Sequence, residues 1–404
     1  MKVLVLNCGS SSVKYQLLDM TDESVLCKGQ VERVGMEDAI LSHQTYKGLK
    51  KKETLPVKNH AAAIKTILDT ITSPEWGPIA SLSEIDAVGH RVVHGAEEFS
   101  GSVLITDAIK GALEKNISLA PLHNPPNLLG IEAAEKLLPG VPMVGVFDTA
   151  FHMTMPEEAY LYPIPYSLYK EHKIRRYGFH GTSHRYVAHR AAEMVGRPIE
   201  ELKIITCHLG NGSSITAVKG GRSIDTSMGF TPLEGVVMGT RSGDIDPAIV
   251  CHLMTDLKMS VKEVNDLLNK QSGLKGLSCL SHDMRDIESA MAAGDENATR
   301  AFKICVYRLK KYIGAYAAAM DGLDVLVFTA GIGENSPILR REVCSGLSFF
   351  GVKIDPEKNE SPVKEKDISS ADSKVRVLVI PTNEELAIAR DTAEIVRGLK
   401  SSGR

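Results

Sequence analysis

The chain of 404 residues is long enough for about two or three domains, and its 43% hydrophobic content supplies sizeable cores. Its 47 Lys and Arg against 50 Asp and Glu leave a net charge of -3, without the cationic excess that counterion-driven nucleic-acid binding requires. No apolar run approaches the ~20 residues of a membrane span, and the first twelve residues, MKVLVLNCGSSS, turn polar too early for a signal peptide. Seven scattered cysteines without C-x-x-C spacing indicate neither a disulfide framework nor a zinc knuckle, so a cytoplasmic chain without membrane or nucleic-acid partners is expected.

In chain order, Val3 to Leu6 and the alternating Val13, Tyr15 and Leu17 predict a β-hairpin around a Gly-Ser turn. Helical spacing follows at His60 to Ser73, Asp107 to Asn116 and Pro126 to Leu138, then a buried-type strand at Val141 to Phe147. A helix from Ser183 to Val195, closed by Gly196, leads into a second strand and hairpin block from Lys203. Ser260 with Glu263 forms a capping box for a helix to Lys270, and a long helix is predicted from Glu296 to Met320. A strand from Asp324 to Thr329 should enter a glycine turn, and the charged, Ser-rich stretch Glu357 to Lys374 reads as a surface excursion. A strand from Val375 to Ile380 and a helix from Asn383 to about Leu399 end the pattern.

The order contains an internal echo. VLVLNCGSSSVKYQLLD and IITCHLGNGSSITAVKG each read as strand, polar residue, Gly-Ser-Ser turn and strand, with Gly9 and Gly212 half a chain apart. Two such units predict a duplicated α/β architecture with a cleft between the halves. Asn7, Ser10, Ser12 and Lys14 surround the first turn, and His208, Leu209, Gly210, Asn211 and Gly212 form the second. Turn amides, hydroxyls and a cation are phosphate-binding chemistry, and a plain polar hairpin is the alternative at each turn taken singly. The chain has no Gly-Lys dipeptide, which excludes a P-loop. Thr329 to Asn335 resembles a dinucleotide turn, but Ser336 stands where the third glycine belongs, leaving a Rossmann fold as a minor alternative.

Arg91 follows a strand-like segment and suits a fork onto a carboxylate, or a surface ion pair. Arg241 lies in a Gly-rich loop where a cation can meet developing negative charge. His123, His180 and His184 sit in turn-forming contexts that suit a structural capping role or hydrogen bonds to a phosphate or substrate, and a zinc reading of the last two is poor because Gly181 stands where H-E-x-x-H needs glutamate. Asp148 ends a strand, where α/β folds bind ligands, and Glu384 opens the last helix as a dipole partner or a metal ligand.

Taken jointly, LNCGSSSVK, GHRVVHG, PLHNPPN, VFDTAFH, YGFHGTSH, CHLGNGSS, MGFTPLEG, GTRSGDIDP, FTAGIGENS and PTNEEL resemble the acetate kinase family. One departure is Ala96, where that pattern leads us to expect a second glycine after Gly95. The resemblance implies a duplicated ribonuclease H-like, actin-like ATPase fold, with residues 1–150 and 385–404 as one lobe and 151–384 as a nucleotide-binding and dimerisation lobe. It implies reversible, in-line transfer of the ATP γ-phosphoryl group to acetate, giving acetyl phosphate and ADP, in a homodimer using Mg2+ or Mn2+.

By the same resemblance, Arg91 would hold the acetate carboxylate, with Val93, Leu122, Phe179 and Pro232 around its methyl group. His180 and Arg241 would stabilise the phosphoryl group with His123 nearby, and Asn7, Asp148 and Glu384 would organise the metal and attacking oxygen. Ser10, Ser12, Lys14, His208 to Gly212, Asp283, Met284, Arg285, Gly331, Ile332, Gly333, Glu334 and Asn335 would bind ATP. Propionate or butyrate kinase is the near alternative, since one methylene is worth only ~1 to 3 kcal/mol in a pocket. A non-catalytic chaperone or filament protein of the same superfamily is the alternative from another class, though a filament subunit would have no use for the Arg91 and Phe179 set.

Overall fold

The computed structural model describes residues 1–117 and 124–401, the side chain of residue 400 excepted. The opening apolar run extends into strand β1 (Lys2–Cys8), which returns as β2 (Ser12–Asp19) through a turn closed by the Gly9 amide donating to Ser12 O at 2.8 Å. β3 (Ser24–Glu32), β4 (Ala39–Thr45) and β5 (Lys50–Leu55) continue the antiparallel meander. On the other side of β1 run β6 (Ala87–Val92) and β8 (Met143–Phe147), both parallel to it, and the short β7 (Val103–Leu104) at the edge.

The second sheet repeats this order. β9 (Lys203–Leu209), β10 (Ser213–Lys219) and β11 (Arg222–Thr226) form the meander, and β12 (Val325–Thr329) and β14 (Arg376–Val379) add to β9 in parallel, with β13 (Lys366–Asp367) at the edge. The strand order β3-β2-β1-β6-β8 thus recurs as β11-β10-β9-β12-β14. This is the duplicated ribonuclease H-like α/β fold anticipated from the paired hairpins.

The chain divides into two units, Met1–Phe151 with Asn383–Arg404 and His152–Thr382, so Glu384 belongs to the first. In that unit the helix His60–Ile71 and the helix Asn124–Leu137 cover one face of the sheet. The last helix, Glu384–Ser401, covers the other, packing Ile388, Ala389, Ala393 and Val396 on Val3, Val5, Val144 and Val146. Its approach is so close that a Cβ on Gly89 of β6 would lie 2.6 Å from the Ile388 side chain. In the second unit the 25-residue helix Glu296–Met320 buries Phe302, Leu309 and Ile313 against the sheet. No helix among the described residues is long and apolar enough to cross a membrane.

Three readings are corrected. The segment after β12 is a helix, Ala330–Asn335, rather than a glycine turn. A mixed sheet opened by an antiparallel meander also removes the Rossmann alternative, which requires a parallel βαβ start. The stretch from Glu357 is no loose excursion, since the helix Pro356–Glu360 buries Asn359 and the segment through β13 buries Ile368. Its charged composition concealed that Asn359 Oδ1 accepts from the buried Arg340 at 2.8 Å and that Ile368 joins the second unit's core. Ala96 has φ +51, a left-handed backbone that glycine adopts without penalty, which explains why glycine is the residue expected there.

The helix Val261–Lys270 carries the full capping box: Ser260 Oγ accepts from the Glu263 amide, and Glu263 accepts from the Ser260 amide at 2.7 Å. Its C-terminal end holds the next loop, because Leu268 O accepts from the Ser242 amide and Asn269 O from the Thr240 hydroxyl, both at 3.0 Å. Ser260→Ala should cost ~1 kcal/mol, read as roughly fivefold faster amide exchange across the first turn of that helix. Unchanged exchange would show that packing of Val264 and Leu268 alone sets its stability.

Candidate active site

Parallel pairing brings three strand ends of the first unit side by side. Asn7 lies one residue from the end of β1, Arg91 one from the end of β6, and Asp148 directly follows β8, its amide donating to Val92 O at 3.0 Å. The Arg91 guanidinium forks onto Asp148, Nε to Oδ1 at 3.2 Å and Nη2 to Oδ2 at 2.5 Å, while Nη1 reaches Asn7 Oδ1 at 3.4 Å. Glu384, at the start of the last helix, stands 3.8 Å from Arg91 Nε. Asp148 is buried with 2% of its side chain exposed, whereas Arg91 and Glu384 keep about a fifth. A buried and a partly exposed carboxylate therefore share one fixed cation, whose remaining N–H groups can serve a further anion.

Burial pushes the Glu384 carboxyl up to about 7, with Asp148 adding to the shift while Arg91 and Lys14 pull against it. Lys14 is the cross-strand partner of Asn7. The donors fit a small divalent cation: two carboxylates and an amide oxygen are hard ligands, and Mg2+ uses one or two carboxylates together with substrate phosphates rather than a full protein cage. No group of three or more His, Cys, Asp or Glu among the described residues is arranged to hold a metal by itself.

The second unit holds a different chemistry. Alternation along β9 sends Ile205, Cys207 and Leu209 into the core and Thr206 and His208 to the opposite face. There they meet Ser214 of β10 and the helix Gly181–Val195, which begins just after His180. His180 has a left-handed backbone, φ 56 and ψ 22, and its ring stacks on His208 at a centroid distance of 4.1 Å. Such a conformation costs a non-glycine residue of order 1–3 kcal/mol and persists only where its surroundings over-determine it.

Gly212 lies between His180 and Arg241: a Cβ there would fall 3.4 Å from Arg241 Nη1 and 3.5 Å from His180 Nε2. Arg241 Nη1 also donates to Pro232 O at 3.3 Å, and no carboxylate among the described residues pairs with this guanidinium. Burial works against its charge, so an arriving anion gains more there than at a hydrated cation. The Gly210 amide is spent within its turn on Gly212 O and Ser213 Oγ, as the Gly9 amide is in the first turn, which narrows the anion nest to the neighbouring amides.

Beside this turn opens a cavity of about 530 Å³, within the range of nucleotide-sized pockets. Gly210, Asn211, Asp283, Met284, Arg285, Gly331, Ile332 and Asn335 line it, eight residues named from the sequence. Gly333 and Glu334 do not line it: Gly333 packs on the β12 backbone, and Glu334 Oε1 accepts from the Thr382 amide at 3.3 Å. His282, Glu288 and Ser336 complete the wall, with Ser336 bonded to Glu288. The sequence assigns none of them to the site, although His282 and Ser336 adjoin assigned segments and Glu288 stands one turn into the helix Met284–Ala292.

Of the other expected residues, Ser10, Ser12, Lys14 and Val93 belong to the first unit and Phe179 and Pro232 to the second. Val93 is buried and its amide donates to Asn127 Oδ1 at 3.1 Å, while Phe179 O is bonded by His152 Nε2 at 3.0 Å. Leu122 and His123 lie outside the described residues.

Residues 2–390 match the model of the acetokinase family. The chain belongs to the acetokinase family. It is 62% identical over 400 residues to an acetate kinase of Coprothermobacter proteolyticus, covering 99% of this chain and 100% of that one. Among solved structures it is similar to Porphyromonas gingivalis acetate kinase, with TM-score 0.95 and 51% identity over 98% and 99% of the two chains. A propionate kinase from Francisella tularensis is similar with TM-score 0.91 and 43% identity over 98% and 99%.

The raised Glu384 carboxyl makes stability depend on pH. Between the ordinary Glu value of ~4.3 and about 7, the folded chain keeps a proton that the unfolded chain has released, so stability falls as pH rises through that window. Glu384→Gln has no such proton to lose. Its urea midpoint should match the parent's near pH 5 and exceed it near pH 8; an equal gap at both would refute the raised value.

Proposed function

We propose that this chain transfers the γ-phosphoryl group of ATP to acetate, reversibly, as an ATP:acetate phosphotransferase. An acetate oxygen bonds to the γ-phosphorus as the bond to the bridging oxygen breaks, and that electron pair leaves on ADP. No proton need move, because a carboxyl group with a pKa near the ~4.3 of Glu is already ionised at pH 7. Catalysis then reduces to holding an anion in line and stabilising charge on the phosphoryl oxygens.

The observation that carries this reading is Arg241, a part-buried guanidinium without a carboxylate partner among the described residues, which converges with His180 on Gly212 at the edge of a nucleotide-sized cavity. The full-length similarity to acetate kinases supports it. Arg91 would fork onto the acetate carboxylate, oriented by Asp148, which acts through charge rather than as a base. Val93, Leu122, Phe179 and Pro232 would close around the methyl group, and His123 would stand near the phosphoryl group with His180. Asn7, Asp148 and Glu384 would hold Mg2+, or Mn2+ in its place, and the ion when bound would neutralise phosphate charge.

Similarity to a propionate kinase favours propionate as a second acceptor. A homodimer is proposed because the helix Pro247–Thr255 is apolar yet buries none of its residues, with Ile249, Met254, Leu257 and Val261 exposed on and beside it. A cytoplasmic location agrees with seven free thiols.

Two substitutions test the assigned roles. Arg91→Ala should raise the acetate KM strongly and leave the ATP KM nearly unchanged, since one substrate alone loses its contact. Equal weakening of both would reduce Arg91 to a structural ion pair. Arg241→Ala should lower kcat ~10³-fold while ATP affinity, measured by calorimetry without turnover, stays within a few-fold. A near-parental kcat would remove Arg241 from phosphoryl stabilisation, and collapse of ATP binding would make it a nucleotide ligand.

A further inference from the structure

Behind His180 runs a chain of buried polar groups that the assigned roles do not use. Thr206 Oγ1 lies 2.7 Å from His184 Nδ1, His184 Nε2 lies 2.7 Å from Ser214 Oγ, and Ser214 Oγ lies 2.9 Å from His180 Nδ1. Thr206, His184 and Ser214 are all fully buried. Each link could run either way until one end is fixed.

Thr206 fixes it. His184 Nδ1 is the one partner of the Thr206 hydroxyl among the described residues. A buried hydroxyl cannot leave its proton unbonded, so Thr206 donates and His184 Nδ1 accepts. His184 is neutral, since burial, aided by His152 and His208, pulls its pKa well below the ordinary value. Its single proton must then sit on Nε2 and be donated to Ser214 Oγ. Ser214 has one proton, and its remaining neighbour is His180 Nδ1. The His180 ring accepts there and carries its own proton on Nε2, the edge that faces Gly212 and Arg241.

We propose that Thr206, His184 and Ser214 are positioning residues that lock neutral His180 in the Nε2–H tautomer, so that it presents a hydrogen-bond donor to the phosphoryl oxygens. The opposite tautomer would present a lone pair to an anion and repel it. The donor role rests on the phosphotransferase reading, whereas the tautomer itself does not.

The test is 15N-histidine NMR of the whole protein without substrates, with the His180 signals assigned by their absence in His180→Gln. Protonated Nε2 and unprotonated Nδ1 are expected while the ring is neutral; a proton on Nδ1, or one divided between the two, overturns the proposal. Thr206→Val keeps the shape and removes the terminal donor. It should move the His180 signals toward a mixture and lower kcat ~10-fold, with both KM values within about twofold, and Thr206→Ser should restore signals and rate. Unchanged signals in Thr206→Val, or a raised KM with kcat intact, would refute the relay. Should Thr206→Val fail to fold, the parent spectrum decides alone. Because the tautomer is read without turnover, a chain that did not phosphorylate acetate would still report it, which separates failure of the relay from failure of the assigned reaction.

Discussion

Parallel pairing of β1, β6 and β8 is the constraint on which the first unit's chemistry depends. In a parallel set every strand ends at the same edge, so residues distant in sequence emerge together without any loop having to reach. Asn7, Arg91 and Asp148 are such residues. The last helix then closes the arrangement from a fourth direction, because packing Ile388 and Ala389 on Val3 and Val146 fixes where its first residue, Glu384, must stand. The second unit uses the corresponding edge: His208, one residue from the end of β9, lies beside Thr329 at the end of β12. Duplication thus supplies two edges of equivalent geometry, which the sequence has furnished with different chemistry, carboxylates around an arginine on one and imidazoles near the loop residue Arg241 on the other.

Those two edges manage buried polarity differently. Asp148 lies almost wholly out of water, and a lone carboxylate there would cost several kcal/mol; the bidentate Arg91 offsets that cost and holds both groups rigid. Adding Glu384 overloads the single guanidinium, and burial beside a second carboxylate drives its carboxyl toward the protonated form. The first unit is therefore short of positive charge, as a site for a divalent cation should be. In the second unit no carboxylate pairs with Arg241, so positive charge is in surplus where an anion is expected.

Much of this was legible in the sequence for physical reasons. The two hairpins announced themselves because a Gly-Ser turn between alternating strands is local chemistry, and the Ser260 capping box and the helix Glu296–Met320 fell at the expected residues for the same reason. Arg91, Asp148 and Glu384 could be named, but their convergence depends on strand order, which no local pattern encodes. The meander β3 to β5 was missed because its edge strand is KKKETL, a lysine-rich run whose charges serve to block edge pairing rather than to signal a strand. The segment Ala330–Asn335 reads as a turn because Gly331 and Gly333 disfavour a helix, and the packing of Gly333 under β12 and the Arg340 bonds to Gly333 O and Glu334 O help to hold it helical. That His282, Glu288 and Ser336 line the cavity was not legible, because a cavity wall has no sequence period.

The proposed pairing of Arg241 with a neutral His180 has a thermodynamic logic of its own. A permanent cation attracts the phosphates of bound ATP as well as the transferring group, so part of its attraction is uniform binding that does nothing for the chemical step. A second full charge beside it would deepen that ground-state well. An uncharged N–H donor is less costly in this respect: it binds a phosphate oxygen weakly until charge accumulates there, and its contribution grows as the bond to the leaving oxygen lengthens. Keeping His180 neutral requires the absence of a nearby carboxylate, and keeping its proton on the outward edge requires a partner behind it whose own proton direction is fixed. The buried layer between the helix Gly181–Val195 and β9 meets the second condition through hydroxyls and imidazoles alone. The histidines in this layer are thus an alternative to placing an acid behind His180, one that orients the ring without lending it charge.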